Sequence, residues 1–287
     1  MRPEVLLFDI GNTSIKIGLA DREKVLASYT LCTDTRQTAD NLGLTLLTLL
    51  GHAGVSAGQI AACAASSVSP AFEPLLRDAV ERYLGCPLYR VGRDLEVPLQ
   101  NCYERPEEVG EDRLVGAYAA RRLHPQTPSL LVVDFGTAMT IDCVRGDAYM
   151  GGLIFPGPRT ALAALSREAA RLPRIDLEVS AAQPEPGRST AMSMKHGLVF
   201  GFVCMVEGLT ARLRQQMPPP AAVLGTGGFA ASIAGISPVF DRVLPMLLLE
   251  GLRLLYYEVK QAAGAGSPTA SPVPAPANTP AGQRSGT

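Results

Sequence analysis

Two stretches of the chain carry nearly the same chemistry: Leu6-Leu7-Phe8-Asp9-Ile10-Gly11-Asn12-Thr13 and Val132-Val133-Asp134-Phe135-Gly136-Thr137-Ala138. Each is an apolar run ending in Asp, an apolar residue and Gly, then small hydroxyl or amide residues, then a second run (Ser14 to Ala20; Met139 to Val144). Apolar runs bounded by glycine read as buried strands joined by a tight hairpin. Glycine lets backbone N–H groups approach a ligand, and the small side chains add donors. Each Asp offers a carboxylate for a cation or for an attacking hydroxyl. Two such loops, 134 − 9 = 125 residues apart, suggest two half-molecules facing one nucleotide. Phosphoryl transfer needs that arrangement, because it is mostly positioning and charge neutralisation from both sides.

A third glycine cluster supports the pair: Ala221 to Leu224 leads into Gly225-Thr226-Gly227-Gly228-Phe229, a strand running into a turn and a helix. Backbone amides at a helix start attract anions. Neither GxxxxGK[ST] nor a helix-opening GxGxxG is present, so a phosphate cradle has to come from the hairpins. Between them lies Tyr103-Glu104-Arg105-Pro106-Glu107-Glu108-Val109-Gly110-Glu111-Asp112-Arg113-Leu114. The helical spacing of Leu114, Ala117, Tyr118 and Arg121 puts Asp112 in or just before a first turn, where the dipole favours an ionised carboxylate. Such a carboxylate can take a proton from a substrate hydroxyl, and it can equally be a helix cap beside a surface Arg113. Arg113 has the fork geometry to grip an anion. Gly151-Gly152 through Pro156-Gly157-Pro158 reads as a turn that ends a strand. Thr190, opening a helix after Ser189, is a cap or a substrate contact.

The elements that must position these groups follow an α/β pattern. Strands are predicted at Val5–Phe8, Ser14–Ala20, Lys24–Thr30, Ile60–Ala65 and Leu88–Val91, with helices at about Thr38–Leu50 and Pro70–Leu84. A helix begins near Pro106, and strands recur at Leu130–Val133, Thr140–Arg145, Ala148–Ile154 and Ala221–Leu224. Helical patterns cover Arg159–Ala170, Ser189–Met217 and Leu244–Ala263. Each half opens on the Asp-x-Gly hairpin, so an internal duplication is the economical account. The expected division is 1–105, 106–263, and a Pro/Ala-rich tail, 264–287, too poor in apolar residues to order itself.

The 287 residues are 47% hydrophobic and 18% charged with a formal net charge of −1, which gives no electrostatic reason to expect nucleic acid or a membrane surface as partner. No apolar run reads as membrane-spanning, and the N-terminus enters a strand directly rather than reading as a signal peptide. Six widely spaced cysteines without a CxxC pair read as small buried thiols in a reduced, cytoplasmic protein, with no zinc site.

Taken together the residues resemble the type III pantothenate kinases of the acetate and sugar kinase/actin-like superfamily. The resemblance rests on Asp9 to Thr13, Tyr103 with Pro106 and Gly110 to Arg113, Asp134 to Thr140, Gly151-Gly152 through Gly157, Ser189-Thr190 and Gly225 to Gly228, in the family's order across about Val5 to Glu258. It implies duplicated ribonuclease H-like/actin-like ATPase domains, each a mixed sheet flanked by helices, with the nucleotide in the cleft between. It implies ATP-dependent phosphorylation of pantothenate to 4′-phosphopantothenate, the first step toward coenzyme A, by a homodimer whose pantothenate pocket lies near the subunit interface. ATP contacts would be Asp9, Ile10, Gly11, Asn12, Thr13, Ser14, Ile15 and Lys16, with Thr137, Gly225, Gly227 and Gly228. Asp112 would be the base; Tyr103, Gly110, Glu111, Asp112, Arg113 and Thr190 would contact pantothenate, Arg113 being suited to its carboxylate. Asp134 would bind a monovalent cation, K+ or NH4+, and Mg2+ would accompany ATP. Glu111 stands where the family usually has a small or apolar residue; close to Asp112 it would raise that carboxyl's pKa. The alternatives are a kinase for another small alcohol and a non-catalytic nucleotide-binding regulator of the same fold.

Overall fold

All six residues of β1 (Val5–Ile10) are buried, and a strand without a solvent face needs cover on both sides. The computed structural model, which describes residues 3–169, 171–178 and 182–265, supplies that cover. After β1 come β2 (Ser14–Ala20), β3 (Val25–Cys32), α1 (Ala39–His52), β4 (Ala62–Ser67), α2 (Glu73–Tyr83), β5 (Leu88–Arg90) and β6 (Gln100–Asn101). The second half runs α3 (Glu111–Leu123), β7 (Ser129–Phe135), β8 (Ala138–Arg145), β9 (Ala148–Pro156), α4 (Pro158–Glu168), α5 (Thr190–Arg214), β10 (Ala221–Gly227), α6 (Ala230–Ala234), β11 (Arg242–Val243) and α7 (Leu247–Ala265).

The sheet orders are β3-β2-β1-β4-β5 and β11-β10-β7-β8-β9-β6. Read from the meander outward, the second is β9-β8-β7-β10-β11, the same path with β6 added in parallel beside β9. In both halves the first two pairings are antiparallel and the strand after the helical crossover joins in parallel. The duplication expected from the twin hairpins is therefore present in the topology: β1 answers to β7, β2 to β8 and β4 to β10.

Helices fill five layers with the sheets. Leu42, Leu46, Leu76 and Val80 of α1 and α2 cover one face of the first sheet. Val115 and Tyr118 of α3 and Leu252 and Tyr256 of α7 cover its other face, against Val5, Leu7 and Ala64. The same two helices present Ala117, Ala120, Leu247 and Leu248 to Leu130, Val132 and Leu224 of the second sheet. Phe202, Val203 and Val206 of α5 and Ile233 of α6 close the far side. The layer of α3 and α7 thus belongs to both sheets, and it carries the helix start on which Asp112 lies.

Several expectations need correction. The strand expected at Ala148–Ile154 is present and runs on to Pro156, so Gly151-Gly152 lies inside β9, which shifts register between Cys143 and Val144, and only the reading of these glycines as a strand-ending turn fails. The cysteines are mostly not buried, for Cys32, Cys102 and Cys204 are exposed; Cys63 and Cys86 are brought within 3.6 Å because β5 pairs alongside β4. α5 is long and apolar enough to cross a membrane by composition alone, yet its buried stripe lies on the second sheet. Helix α7 extends through Gly264 and Ala265; the rest of the expected disordered tail, 266–287, lies outside the described residues.

Gly251 lets α7 approach α3: a Cβ there would stand 2.7 Å from Val115 Cγ1 and 2.7 Å from its carbonyl oxygen. Gly251→Ala gains helix propensity of about 1 kcal/mol but overpacks a layer both sheets share, at a cost of roughly 1–3 kcal/mol. The expected outcome is a lower midpoint in urea unfolding; an unchanged or higher midpoint counts against the tight α3–α7 contact.

Candidate active site

The two hairpins face each other across a cleft of about 320 Å³. In the first, the Gly11 amide donates to Ser14 O (3.0 Å), and the antiparallel register sets Asp9 opposite Lys16, whose Nζ lies 3.4 Å from Asp9 Oδ2. In the second, Gly136 N donates to Ala138 O (3.1 Å) and the register sets Asp134 opposite Thr140. The second loop is one residue shorter, and where the first hairpin has lysine it has a hydroxyl. The loops touch through Thr13 Oγ1 and Thr137 Oγ1, 3.0 Å apart. Gly157 supports the second loop from below: its amide donates to Thr137 O (2.9 Å), and a Cβ would stand 2.1 Å from Gly136 O.

Helix α3 enters the cleft by its N-terminus. Gly110 is the N-cap, which makes Asp112 the second helical residue and Arg113 the third. The Arg113 amide donates to Asp112 Oδ1 at 2.8 Å. A Cβ on Gly110 would stand 2.6 Å from that oxygen, so the carboxylate folds back over the helix start only because residue 110 is glycine. Arg113 reaches the second sheet, where its Nε donates to Asp142 Oδ1 (2.8 Å) and its Nη2 lies 2.7 Å from the same oxygen.

The electrostatics follow from this crowding. The cleft lining holds Asp9, Glu108, Asp112, Asp134 and Asp142 against Lys16 and Arg113, a formal balance of 2 − 5 = −3. Burial raises the pKa of Asp9, opposed by Lys16, and burial likewise raises that of Asp112, opposed by the Arg113 amide and charge. Burial pushes Lys16 down, but Asp9, Asp134 and Asp112 outweigh it and hold the ammonium charged. Asp134 is pushed up to about 6, first by burial and then by Asp9, Asp112 and Asp142, against Lys16. Its Oδ1 is enclosed and has no hydrogen-bond partner among the described residues. Gly227, at φ +84°, makes room for that oxygen, since a Cβ there would stand 2.4 Å away.

Of the residues predicted from the sequence, Asp9, Gly11, Asn12, Ser14, Lys16, Gly110, Asp112, Arg113, Asp134 and Thr137 line the cleft. Ile10 and Ile15 are core residues of the first sheet, and Thr13 is exposed at the loop contact. Gly225 packs against Phe240, and Gly228 is exposed just beyond β10. Tyr103 lies next door, its ring on Gly151. Glu111 turns away from the cleft toward Ser67, Glu73 and Arg90, with Oε2 3.4 Å from the Ser67 amide. Burial, not Glu111, is the leading cause of the raised Asp112 pKa. Thr190 is exposed, and Ser189 is the cap, accepting from Met192 N at 3.2 Å. Sequence reasoning missed Thr140, Asp142 and Thr226, which also line the cleft. An aspartate amid the apolar run Met139 to Val144 is the signal that marks Asp142. Among the described residues no group of three or more His, Cys, Asp or Glu side chains is arranged to hold a metal by itself.

Comparison with known proteins follows the same line. A family model described as type III pantothenate kinase matches residues 5–212. A type III pantothenate kinase from Desulfovibrio desulfuricans is 74% identical over 262 residues, covering 91% of this chain and 100% of that protein. One from Nitratidesulfovibrio vulgaris is 56% identical over 261 residues, with the same coverage. Among solved structures, a Campylobacter jejuni protein assigned to the Baf family of transcriptional activators superposes with a TM-score of 0.55 at 18% identity, covering 89% of this chain and 99% of that one. The Clostridium difficile activator of 2-hydroxyisocaproyl-CoA dehydratase, with bound ADPNP, gives a TM-score of 0.51 at 11% identity, covering 93% and 99%. These two likenesses are of fold alone.

The Asp134 carboxyl yields a pH prediction. Its pKa is higher folded than unfolded, so the protonated form favours the fold; the contribution is full below about pH 4 and is lost as pH rises through about 6. The difference from 3.8 corresponds to roughly 3 kcal/mol as an upper bound, since the residue keeps some contact with solvent. In sodium buffer without ligand, Asp134→Asn should gain stability over the wild type between about pH 4 and pH 6 and hold a constant advantage above about pH 7, read by urea unfolding. A difference that stays constant from about pH 4 to pH 6 would remove the assigned cause.

Proposed function

The chain belongs to the type III pantothenate kinase family and transfers the γ-phosphate of ATP to the hydroxyl of pantothenate, giving 4′-phosphopantothenate for coenzyme A synthesis; from that premise we propose how its residues divide the work. The observation that carries the division is that the central carboxylates of the cleft have different partners. Asp9 is paired with Lys16, Asp142 with Arg113, and Asp134 has an enclosed oxygen without a partner. Asp112 alone sits at a helix start with Oδ1 held by a backbone amide, which leaves its other oxygen for the substrate hydroxyl.

In this reading the backbone amides at the tips of the two hairpins, at Asn12 and Thr13 and at Thr137, cradle the phosphates, and the side chains of Lys16 and Thr137 contact them. Thr226, Gly227 and Gly228 continue the nucleotide side. Pantothenate lies toward Gly110, Asp112 and Arg113, with Tyr103 as its outer wall. As the hydroxyl oxygen attacks the γ-phosphorus in line, its proton passes to Asp112 and ADP departs. The raised pKa of Asp112 suits a group that must accept a proton near neutrality.

The charge balance of the cleft calls for cations, because two anionic substrates enter a site already negative. The partnerless Asp134 oxygen fits a monovalent cation, K+ or NH4+, which would supply positive charge beside the phosphates. Mg2+ would be carried by ATP, as expected where the protein offers isolated carboxylates rather than a cage. We further propose a cytoplasmic homodimer without nucleic-acid or membrane partners, supported by the net charge of −1, the unbonded cysteines and the apolar side chains of Leu165 and Met192 left exposed on α4 and α5. Thr190, exposed on α5, would then serve the cleft of the second copy.

Two measurements test the division. Asp112→Asn should lower kcat for pantothenate phosphorylation by about 10²–10⁴-fold while ATP analogue binding persists, and Gly110→Ala should lower kcat in the same direction by displacing the carboxylate. Near wild-type turnover in Asp112→Asn would remove its role, and nucleotide binding without pantothenate-dependent ADP release in the wild type would point to a regulator. Potassium should raise the melting temperature of the wild type at pH 8 relative to sodium, and should do nothing for Asp134→Asn. An equal response from both proteins would place the cation elsewhere.

A further inference from the structure

Asp142 has no part in the division above, yet it lines the cleft at 3% exposure and holds Arg113. We propose that Asp142 is a positioning residue for substrate recognition: by holding the Nε–Nη2 side of Arg113 it leaves Nη1 as the terminal donor for the carboxylate of pantothenate. The proposal rests on the assignment of Arg113 to that carboxylate.

A guanidinium is a flat fork with five N–H donors and two edges able to take a carboxylate by two parallel bonds. On a flexible side chain both edges are open, and a buried fork left unrestrained can turn either one to an arriving anion. Here one edge is taken. Arg113 Nε donates to Asp142 Oδ1 at 2.8 Å, and Nη2 stands 2.7 Å from the same oxygen. Nη2 is enclosed beside that oxygen, so Nη1 is the one nitrogen of the fork not held against Asp142. The carboxylate that holds the fork is itself fixed. Tyr149 donates to Oδ1 at 2.8 Å and Thr140 to Oδ2 at 2.9 Å, both from within the second sheet.

Two further contacts set the plane of the fork. The Arg113 guanidinium carbon lies 5.8 Å from the centroid of the Tyr149 ring, within the range of a cation–π contact. Gly152 sits opposite Asp142 in the β8–β9 register, and a Cβ there would stand 2.9 Å from Nη2 and 2.2 Å from Ile141 O. The missing side chain is the notch through which Arg113 reaches Asp142. Asp142 thereby does two things: it compensates a cation buried before substrate arrives, and it leaves a single terminal donor for recognition. The consequence is selection for a carboxylate over a neutral group at that end of the substrate.

The experiment compares pantothenate with pantothenol, in which a neutral alcohol replaces the carboxylate, in wild type, Asp142→Asn and Arg113→Met. For Asp142→Asn, KM for pantothenate should rise on the order of tenfold or more with kcat within about threefold, as expected when binding geometry and not the chemical step is disturbed. KM for pantothenol should stay level, so the preference for the acid shrinks. Arg113→Met should remove that preference altogether. Tyr149→Phe, which frees one restraint on Asp142 and keeps the ring, should shift KM in the same direction by a smaller factor and stands in if Asp142→Asn does not fold. If Arg113→Met abolishes the preference while Asp142→Asn and Tyr149→Phe leave it intact, or if they weaken both substrates equally, Asp142 is merely structural and the proposal fails. If Arg113→Met keeps the preference, Arg113 does not bind the carboxylate and both assignments fall.

Discussion

Carboxylates crowded into one cleft repel one another, and the active site depends on giving each a different way to remain there. With five acidic side chains lining the cleft and two basic ones, pairing cannot serve them all. Cross-strand register decides part of the outcome. Asp9 meets Lys16 because the first hairpin has lysine at the opposing position. Asp134 meets Thr140 instead and is left with an enclosed oxygen that lacks a partner. Asp142 is satisfied from three directions, by Arg113, Tyr149 and Thr140. Asp112 keeps a backbone amide and a helix N-terminus. The resulting formal balance of the cleft lining is negative.

The duplication explains how these groups come together and why they differ. Both halves build the same strand path, so the two hairpins arrive at the cleft from corresponding positions of the two sheets. Equivalence ends at the side chains: one loop is a residue longer, and one opposing position has an amine where the other has a hydroxyl. The helices that follow the last strand of each repeat, α3 and α7, pack between the sheets and against each other. That shared layer brings a helix start from neither hairpin, with Asp112 on it, to the point where the hairpins converge. The glycines of the site serve close approach: Gly110 admits the Asp112 carboxylate, Gly227 the Asp134 oxygen, and Gly152 the Arg113 fork.

Much of this was legible in the chain because it is written in local pattern. The twin Asp-x-Gly turns, the buried strands on either side and the helix opening at Gly110 each express themselves within about ten residues, and glycine between apolar runs has few other readings. The family resemblance alone gave Asp9, Asp112 and Asp134 different expected roles; their different surroundings came into view only in the fold, for a carboxylate's behaviour is set by burial and neighbours distant in sequence. Gly151-Gly152 fell inside a predicted strand and yet also read as the start of a turn, because glycine usually punctuates. In the fold it lies within a strand, where the missing side chains make room for Tyr103 and Arg113.

By itself the sequence determined the duplicated α/β plan, the two Asp-x-Gly hairpins and the family to which the chain belongs. Those follow from residue types at short and regular spacing. Only the tertiary structure decided that Arg113 is already bound to Asp142, that Glu111 faces away from Asp112, and that α3 and α7 form one layer between two sheets. Each of these depends on which elements meet across more than twenty residues of chain, and no local pattern of polarity or glycine encodes that meeting.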